Sequence, residues 1–235
     1  MEPLYESKIE CICCETIFQT TRVRPSFKKA SAVDSDFCGH YTNGINPDFY
    51  VVRVCPNCGF ASTENGFDKL SDKQKKSYYE RIGINWRGQH YGGERGAEQA
   101  MACYKLALLT AQATGAKDRV IAGILHHIAW LYRYENNETE EKRFLRFALE
   151  AYIKVFETEG VSLNNAKLMF LIGELNRRVD EMGEAVKWFS RVVNDKKIMD
   201  AAMIRASREQ WQLIREEAEL KRLGLSSPDS QASSA

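Results

Sequence analysis

Two Cys-x-x-Cys pairs constrain the fold of this chain more than any other feature of its sequence. Cys11 and Cys14 form the first pair, and Cys55 and Cys58 form the second. Cysteines three positions apart can place both thiolates on one tetrahedral ion, with Zn–S distances of about 2.3 Å. One such pair is a weak signal, but two of them predict a four-thiolate Zn²⁺ site. Because four thiolates leave no open coordination position, we expect a structural zinc ion that contributes folding energy.

The surroundings of the two pairs favour a zinc ribbon. Residues 17–24 and 49–54 are rich in β-branched and aromatic side chains, which predicts a strand beside each pair. Gly59 suits a tight turn after the second pair, whereas Glu15 replaces the usual glycine after the first. Forty residues separate the pairs, against roughly 15–20 in compact four-cysteine sites. We therefore expect residues 25–47 to form an insertion that loops out of the ribbon.

Three further residues leave the composition of the metal site open. Cys13 could replace Cys14 as a ligand, although a Cys-x-Cys pair is the poorer chelator. Cys38 and His40 lie in the insertion and could form a second metal site or replace a ligand. A buried thiol and a surface imidazole are the simpler interpretation of these two residues. The alternative to any metal site is a set of unrelated buried thiols.

Composition and charge exclude several classes of protein. Apolar residues make up 44% and charged residues 28% of the chain, so a core can form without disulfides. No apolar run is long enough to span a bilayer, and residues 1–10 lack the features of a signal peptide, so we expect a cytoplasmic protein without membrane contact. A reducing compartment favours metal-bound cysteines over disulfides. The net charge of +1 gives no global field that attracts nucleic acid.

Helical periodicity dominates the second half of the chain. Ser71 and Gln74 fit a capping box, and Gly83 can end the short helix that follows. Apolar residues then recur at helical spacing along the chain. The helices predicted after the connector cover about residues 100–111, 121–132, 140–157, 163–178, 182–193 and 198–223.

Residues 161–195 resemble one tetratricopeptide unit. Gly173 and Ala185 are small enough to let two antiparallel helices approach closely, and Phe189 fills the gap behind them. Two weaker units precede this one, but their equivalent alanines are 48 and 37 residues apart, rather than the roughly 34 of a regular array. Residues 135–141 look like an insertion that lengthens one turn. A generic α-helical bundle is the alternative.

These features together predict an α+β fold that is mostly α. A small N-terminal zinc-ribbon β domain precedes a tetratricopeptide-like α-α superhelix. The predicted segments are a zinc-ribbon-like domain with its insertion at 1–66, a connector with a short helix at 67–96, tetratricopeptide-like helical repeats at 97–223 and a disordered tail at 224–235.

Helical arrays of this kind bind a protein or peptide on the concave face formed by the first helix of each hairpin. Aromatic and arginine side chains are favoured anchors at protein interfaces, and Arg133 with Arg177 could clamp an acidic peptide. The alternative is that Trp130 and Phe170 are core residues and that the arginines are merely solvated. The positions predicted to face this groove are His126, Trp130, Arg133, Tyr134, Lys167, Phe170, Glu174, Arg177 and Arg178.

Several short strings in the sequence resemble one bacterial protein family. They are residues 4–14, DSDFC at 34–38, GINP at 44–47, CPNCG at 55–59 and YKLAL at 104–108. This family is catalogued only as a domain of unknown function (two-two-two-five), and the resemblance extends over nearly the whole chain. It implies a zinc-ribbon-like head and a tetratricopeptide-like body, and it implies no activity. Cys13 and Glu15 depart from the family pattern.

Three functions follow from the sequence as hypotheses. The favoured one is a cytoplasmic protein–protein interaction adaptor with a structural zinc site. The second is an RNA-binding zinc ribbon, although residues 1–66 hold six basic and eight acidic residues, a net charge of −2. Residues 67–95 carry a modest +3. The third and least supported is an enzyme, whose first sign would be a reactive thiolate; its residues would be Asp34, Asp36, Cys38 and His40.

Overall fold

A computed structural model describes residues 2–64, 66, 69–159 and 165–224. The start of the helix predicted at 163–178 and nearly all of the predicted tail lie outside these residues. The chain divides into two compact units, residues 1–151 and 152–235. The boundary between the two units falls inside a helix, whereas the predicted boundaries of the connector lay at 66/67 and 96/97. Residues 1–66 thus share one compact unit with the first helices.

Three antiparallel strand pairs open the N-terminal unit. β1 (Leu4–Glu10) pairs with β2 (Ile17–Val23), β3 (Ala32–Val33) with β4 (Gly39–His40), and β5 (Arg53–Val54) with β6 (Ala61–Ser62). The strand predicted at 17–24 is confirmed. Of the stretch 49–54, only β5 is a strand, because residues Pro47–Tyr50 form a 3₁₀ turn. Each Cys-x-x-Cys pair occupies the turn of a hairpin, between β1 and β2 or between β5 and β6.

The described part of the chain contains seven α-helices after these strands. They are α1 (Asp72–Arg81), α2 (Ala97–Thr114), α3 (Asp118–Tyr134), α4 (Glu138–Glu159), α5 (Ala166–Arg178), α6 (Met182–Asn194) and α7 (Ala201–Arg222). The predicted capping box is present at the start of α1, where Ser71 and Gln74 bond reciprocally. The expectation of a mostly helical chain with short N-terminal strands is confirmed. None of these helices combines the length and apolar character needed to cross a bilayer.

The short strands are stabilised by the helices rather than by a sheet of their own. Val52, Val54 and Ala61, in and beside the β5–β6 hairpin, share one buried cluster with α2 and α3. Tyr104 of α2 is fully buried there and donates from its hydroxyl to the carbonyl of Asp48 at 2.9 Å. Since an isolated two-stranded hairpin is barely stable in water, this packing explains why the hairpin and the first helices form one unit.

The turns that follow α3 and α5 are built alike. Asn136 and Asp180 both adopt the left-handed conformation, with φ of 56° and 71°. In each turn the next amide donates a 2.9 Å hydrogen bond to the carbonyl five residues back. Because α3 ends at Tyr134 and α4 begins at Glu138, the insertion predicted at 135–141 is wrong, and its last residues form the start of α4.

The hairpin of α5 and α6 in the C-terminal unit packs as its small residues predict. A Cβ atom built on Gly173 would lie 2.7 Å from Cε1 of Phe189, so only glycine allows the ring to sit there. Ala185 and Phe189 are both fully buried. The close approach predicted at Gly173 is therefore confirmed.

Candidate metal centre

The four cysteines of the two hairpin turns converge in space. The sulfurs of Cys11, Cys14, Cys55 and Cys58 all lie within 4.8 Å of one another. The Sγ atoms of Cys11 and Cys58 are 3.6 Å apart, and those of Cys14 and Cys55 are 3.7 Å apart. Four sulfurs placed tetrahedrally about 2.3 Å from a zinc ion would be separated by about 3.8 Å. The cluster therefore has the donor set and the size that a tetrathiolate metal site requires.

Two turns of matching construction carry these sulfurs. In the first turn, the amide of Cys11 donates to the carbonyl of Thr16 at 3.0 Å, and the amide of Glu15 donates to the carbonyl of Cys11 at 2.8 Å. The same two bonds, with the same lengths, recur in the turn that begins at Cys55. Both cysteine pairs are thus held by one local backbone arrangement, although they lie on different hairpins.

The two turns differ at the residue that follows the second cysteine. Both positions are left-handed, with φ of 63° at Glu15 and 76° at Gly59. A residue with a Cβ adopts this conformation at a cost of roughly 1–2 kcal/mol, which glycine avoids. At Gly59 an added Cβ would also lie 2.5 Å from Cδ2 of Trp86. Glu15 has open space instead, and its carboxylate lies 3.0 Å from Nζ of Lys75.

Protons are distributed unequally among the clustered thiols. The hydrogen bond with Cys55 raises the pKa of Cys11 to about 12, and the same bond lowers the pKa of Cys55 to about 2. The hydrogen bond with Cys11 also raises the pKa of Cys58 above its ordinary range. Burial opposes any lowering at Cys14, but its hydrogen bonds with Thr16 and Asn57 lower the pKa of this thiol. The four thiols therefore differ in how readily they lose a proton. A divalent cation displaces such protons when it binds, so its affinity falls as the pH is lowered.

Aromatic side chains connect the cluster to α1 and to the turn after it. The hydroxyl of Tyr78 donates to the carbonyl of Cys58 at 2.8 Å, and its ring meets Phe60 edge-on at 5.0 Å between centroids. Nε1 of Trp86 donates to the carbonyl of Pro56 at 2.8 Å. The second cysteine turn is therefore held from outside by side chains of the connector predicted at 67–96.

The other candidate metal ligands do not belong to the group of four sulfurs. Cys14, and not Cys13, belongs to the group within 4.8 Å. Cys38 is fully buried and its thiol donates to the hydroxyl of Tyr134 at 3.4 Å. Nε2 of His40 lies 2.8 Å from Oδ1 of Asp34. Among the residues that the structure describes, the four cysteines are the one group of three or more such side chains close enough to share an ion.

A second polar cluster, which sequence reasoning missed, joins the insertion to α3. We call it the Asp36 cluster, and its members are Asp34, Asp36, Trp130, Arg133 and Glu141. Nη1 and Nη2 of Arg133 donate to the two carboxylate oxygens of Asp36 at 2.9 and 2.7 Å, and Nη1 also reaches Asp34 at 2.6 Å. Nε of Arg133 donates to Glu141 at 2.8 Å, and Nε1 of Trp130 donates to Asp36 at 3.1 Å. Asp36 is fully buried.

The chemistry of the insertion does not match that of a nucleophilic site. Burial raises the pKa of the Cys38 thiol to about 12, the opposite of the lowered pKa that a reactive thiolate needs. His126 Nε2 lies 3.3 Å from the buried carboxylate of Asp36, and burial lowers the pKa of this histidine. The contacts of Asp34 and Asp36 are those of a structural carboxylate pair held by Arg133.

The groove positions predicted on α3 do not face solvent together. His126 and Trp130 are only 3% and 8% exposed. Arg133 belongs to the Asp36 cluster, and the hydroxyl of Tyr134 lies 2.7 Å from Oδ2 of Asp48. The expected exposure of these four side chains is therefore wrong, because the insertion covers this face of α3. No local sequence pattern near residues 126–134 predicts contact with a segment of the same chain about a hundred residues away.

The groove positions predicted on α5 are also largely enclosed within the C-terminal unit. Phe170 is 2% exposed and Glu174 is fully buried. Arg177 and Arg178 both donate to the carboxylate of Glu174, with distances of 2.8 to 2.9 Å. Lys167 alone among the nine predicted positions is exposed. Arg177 and Arg178 thus neutralise Glu174, a buried glutamate of their own helix.

Comparison with known proteins gives one match. A model of the bacterial family described as an uncharacterized protein conserved in bacteria (DUF2225) matches residues 4–214. No curated protein and no solved structure matches the chain. The matched residues include both cysteine turns and all members of the Asp36 cluster.

Proposed function

The chain belongs to this family, and we propose that it is a protein-interaction adaptor whose N-terminal hairpins are joined by a structural zinc ion. The observation that supports the proposed metal site is the convergence of four sulfurs from two hairpin turns within 4.8 Å. Thiolates are soft ligands that favour zinc over calcium or magnesium. When bound, the ion supplies folding energy, and a complete set of four thiolates leaves no position for a substrate.

The four cysteines are the residues that would hold the ion. Each hairpin supplies two of them, so the metal would link β1–β2 to β5–β6, between which no strand pairing occurs in the described residues. This role explains why the two matching turns lie so close together without a shared sheet. It also favours an interaction protein, because the site stabilises a surface and performs no reaction.

Partner binding is proposed for an exposed aromatic patch on α4, made of Arg143, Phe144 and Phe147, in place of the predicted groove. Phe147 is 40% exposed. The guanidinium of Arg143 lies 5.8 Å from the ring centroids of both phenylalanines. Aromatic residues and arginine are the side chains that most often dominate binding energy at protein interfaces. A protein segment with apolar and acidic residues would complement this patch.

The metal proposal is tested by elemental analysis together with intact mass of the protein purified under reducing conditions. We expect one zinc ion per chain. A folded protein with no bound metal would contradict the proposal.

The adaptor proposal is tested by affinity capture of partners with the variant Arg143→Glu/Phe147→Ala. Tyr79→Ala/Arg81→Glu is the matched control, because it removes an exposed aromatic ring and an arginine from α1. Partners that bind the wild type should be lost in the α4 variant and kept in the control. Partners retained equally by both variants would exclude the aromatic patch as the binding surface.

A further inference from the structure

A pocket of about 680 Å³ opens in the N-terminal unit, and none of the four cysteines lines it. It lies between β2, the β5–β6 hairpin, the 3₁₀ turn Pro47–Tyr50 and the first turns of α3. Pockets that bind small molecules measure roughly 300–1,000 Å³. Val23, Val120 and Ile124 give this one an apolar wall. Its size and shape therefore suit a small organic ligand.

Positive side chains dominate the polar lining of the pocket. Two carboxylates face it, and both already have partners. Glu64 pairs with Arg22, and Oδ2 of Asp48 lies 2.7 Å from the hydroxyl of Tyr134. The five basic residues of the lining are Arg22, Lys28, Arg53, Lys117 and Arg119. The lining thus carries an excess of three positive charges.

Arg53 is the basic residue of the lining that has a buried donor atom without a hydrogen-bond partner in the described part of the chain. Its Nε atom is buried and has no hydrogen-bond partner among the described residues. Arg22 also lines this pocket. A buried donor of a charged group is costly to leave unpaired. An anion in the pocket would accept from Arg53 and separate the two guanidinium charges.

The start of α3 adds to the positive field of the pocket. Lys117 is the N-cap residue, and no side chain caps this helix among the described residues. Lys117, Arg119 and Val120, at the cap and in the first turn, all line the pocket. The amino end of a helix carries a partial positive charge and unpaired amides that attract anions. This helix end supports a site that the cavity and the arginines define independently.

We propose that this pocket binds a small organic phosphate. Several cations around one cavity favour a group with two negative charges, and the arginine fork matches the oxygens of phosphate. Arg53 holds the phosphate at the buried end, Lys28 and Lys117 approach from the rim, and the organic part packs against Val120 and Ile124. Neither the four cysteines nor the aromatic patch of α4 contributes a residue to the lining of this pocket.

The proposal is tested by calorimetric titration of the zinc-loaded full chain with pyrophosphate, ADP and the uncharged control adenosine. We expect saturable binding of both phosphate probes and none of adenosine. Arg53→Gln should weaken binding at least about tenfold, since it removes a charge-assisted contact. Lys117→Gln should weaken binding severalfold, and the exposed Arg81→Gln should not change it. Zinc retention is measured for every variant.

Two results would overturn the proposal. One is the absence of saturable binding of both phosphate probes by the wild type. The other is equal binding by Arg53→Gln, Lys117→Gln and the wild type. Because Lys117 is exposed, its variant tests the site even if Arg53→Gln folds poorly. Without ligand, Arg53→Gln should melt at the same or a higher temperature than the wild type, whereas a purely structural arginine would lower it.

A labelled single-stranded RNA distinguishes a small phosphate ligand from a nucleic acid. RNA that binds more tightly than ADP, with a steep loss of affinity as salt is raised, would replace the proposed ligand with a polynucleotide. RNA that binds more weakly than ADP, or not at all, would support the small ligand.

Discussion

The cysteine cluster and the Asp36 cluster perform similar structural tasks by different means. Each joins parts of the N-terminal unit that are distant in sequence: Cys11 meets Cys58 across 47 positions, and Asp36 meets Arg133 across 97. The cysteine cluster uses soft donors for a metal ion, whereas the Asp36 cluster uses a buried ion pair. The cysteine cluster is visible in the sequence as two Cys-x-x-Cys patterns, whereas the Asp36 cluster has no characteristic local pattern. Long-range connection is therefore predictable only where its chemistry imposes a fixed spacing.

The comparison also separates two sources of stability. A metal site adds the free energy of binding an external ion, which depends on metal supply and pH. A buried ion pair contributes little net energy compared with apolar packing, but breaking it leaves a charge without a partner. The two clusters should therefore respond to different perturbations.

The largest effect is expected from Cys55→Ser, which removes one of four ligands. Structural zinc sites contribute on the order of 10 kcal/mol of binding free energy at neutral pH, so the zinc content should fall and the N-terminal unit should unfold far more readily. Elemental analysis and urea denaturation followed by circular dichroism would measure both changes. Cys13→Ser is the matched control and should keep the metal. Loss of zinc in Cys13→Ser with retention in Cys14→Ser would mean that the ligand set is wrong.

The next largest effect is expected from Arg133→Met, which leaves the carboxylate of Asp36 buried without its main partner. Removing one member of a buried ion pair destabilises a protein by about 3–5 kcal/mol. The double variant Asp36→Leu/Arg133→Met should recover part of this loss, because it removes the fully buried carboxylate together with its partner. Urea denaturation of the zinc-loaded proteins measures the difference. A loss below about 1 kcal/mol for the single variant would show that the cluster behaves like a surface pair.

A smaller effect is expected from pH at His126, whose pKa is lowered by burial, although the carboxylate of Asp36 opposes this shift and Arg133 and His127 reinforce it. The unfolded histidine takes up a proton near pH 6.5, before the folded one does. Stability should therefore fall as the pH drops below about 6.5, by at most about 1.4 kcal/mol per pH unit. Comparing the wild type with His126→Gln from pH 7.5 to 6.0, at constant zinc content, isolates this contribution. An identical pH dependence in the two proteins would contradict it, and His90→Gln serves as the exposed control.

The smallest effect is expected from Glu15→Gly, which relieves the left-handed strain in the first cysteine turn. The substitution should stabilise the zinc-loaded protein by roughly 0.5–1 kcal/mol, because the exposed pair with Lys75 that it removes contributes little. Gly59→Ala, at the equivalent position of the second turn, should destabilise because it adds both strain and a clash with Trp86. Thermal denaturation of both variants measures the signs. A loss of stability in Glu15→Gly would show that the Lys75 contact outweighs the strain.

The features that sequence reasoning predicted are those with a short local signature. The four cysteines, the capping box at Ser71 and the close packing at Gly173 each depend on residues at fixed spacing. β1 escaped prediction because a polar run, Glu6–Lys8, interrupts its apolar residues and none of its side chains is buried. Residues 47–50 form a 3₁₀ turn despite their aromatic content, since Pro47 begins it and Asn46 caps it.

The errors on α3 have one cause. Trp130 and Arg133 are of residue types that are common at binding surfaces. Side chains of the same types can equally well enclose a buried carboxylate. Which role they take depends on whether another segment covers them, and the insertion that does so lies almost a hundred positions earlier in the chain. Only a three-dimensional structure pairs the two. In the sequence alone, nothing near Asp34 or Asp36 identifies Arg133 as their partner.

The distance between Asp36 and Arg133 has a consequence for synthesis on the ribosome. All four cysteines have been translated once residue 58 is added, so the ligands of the proposed metal site are present while the rest of the chain is still being made. Arg133 follows 75 residues later, which takes about 4–15 s at bacterial translation rates of about 5–20 residues per second. During that interval Asp36 lacks Arg133, its main partner in the folded protein. Translation order thus completes the cysteine cluster first and the Asp36 cluster second.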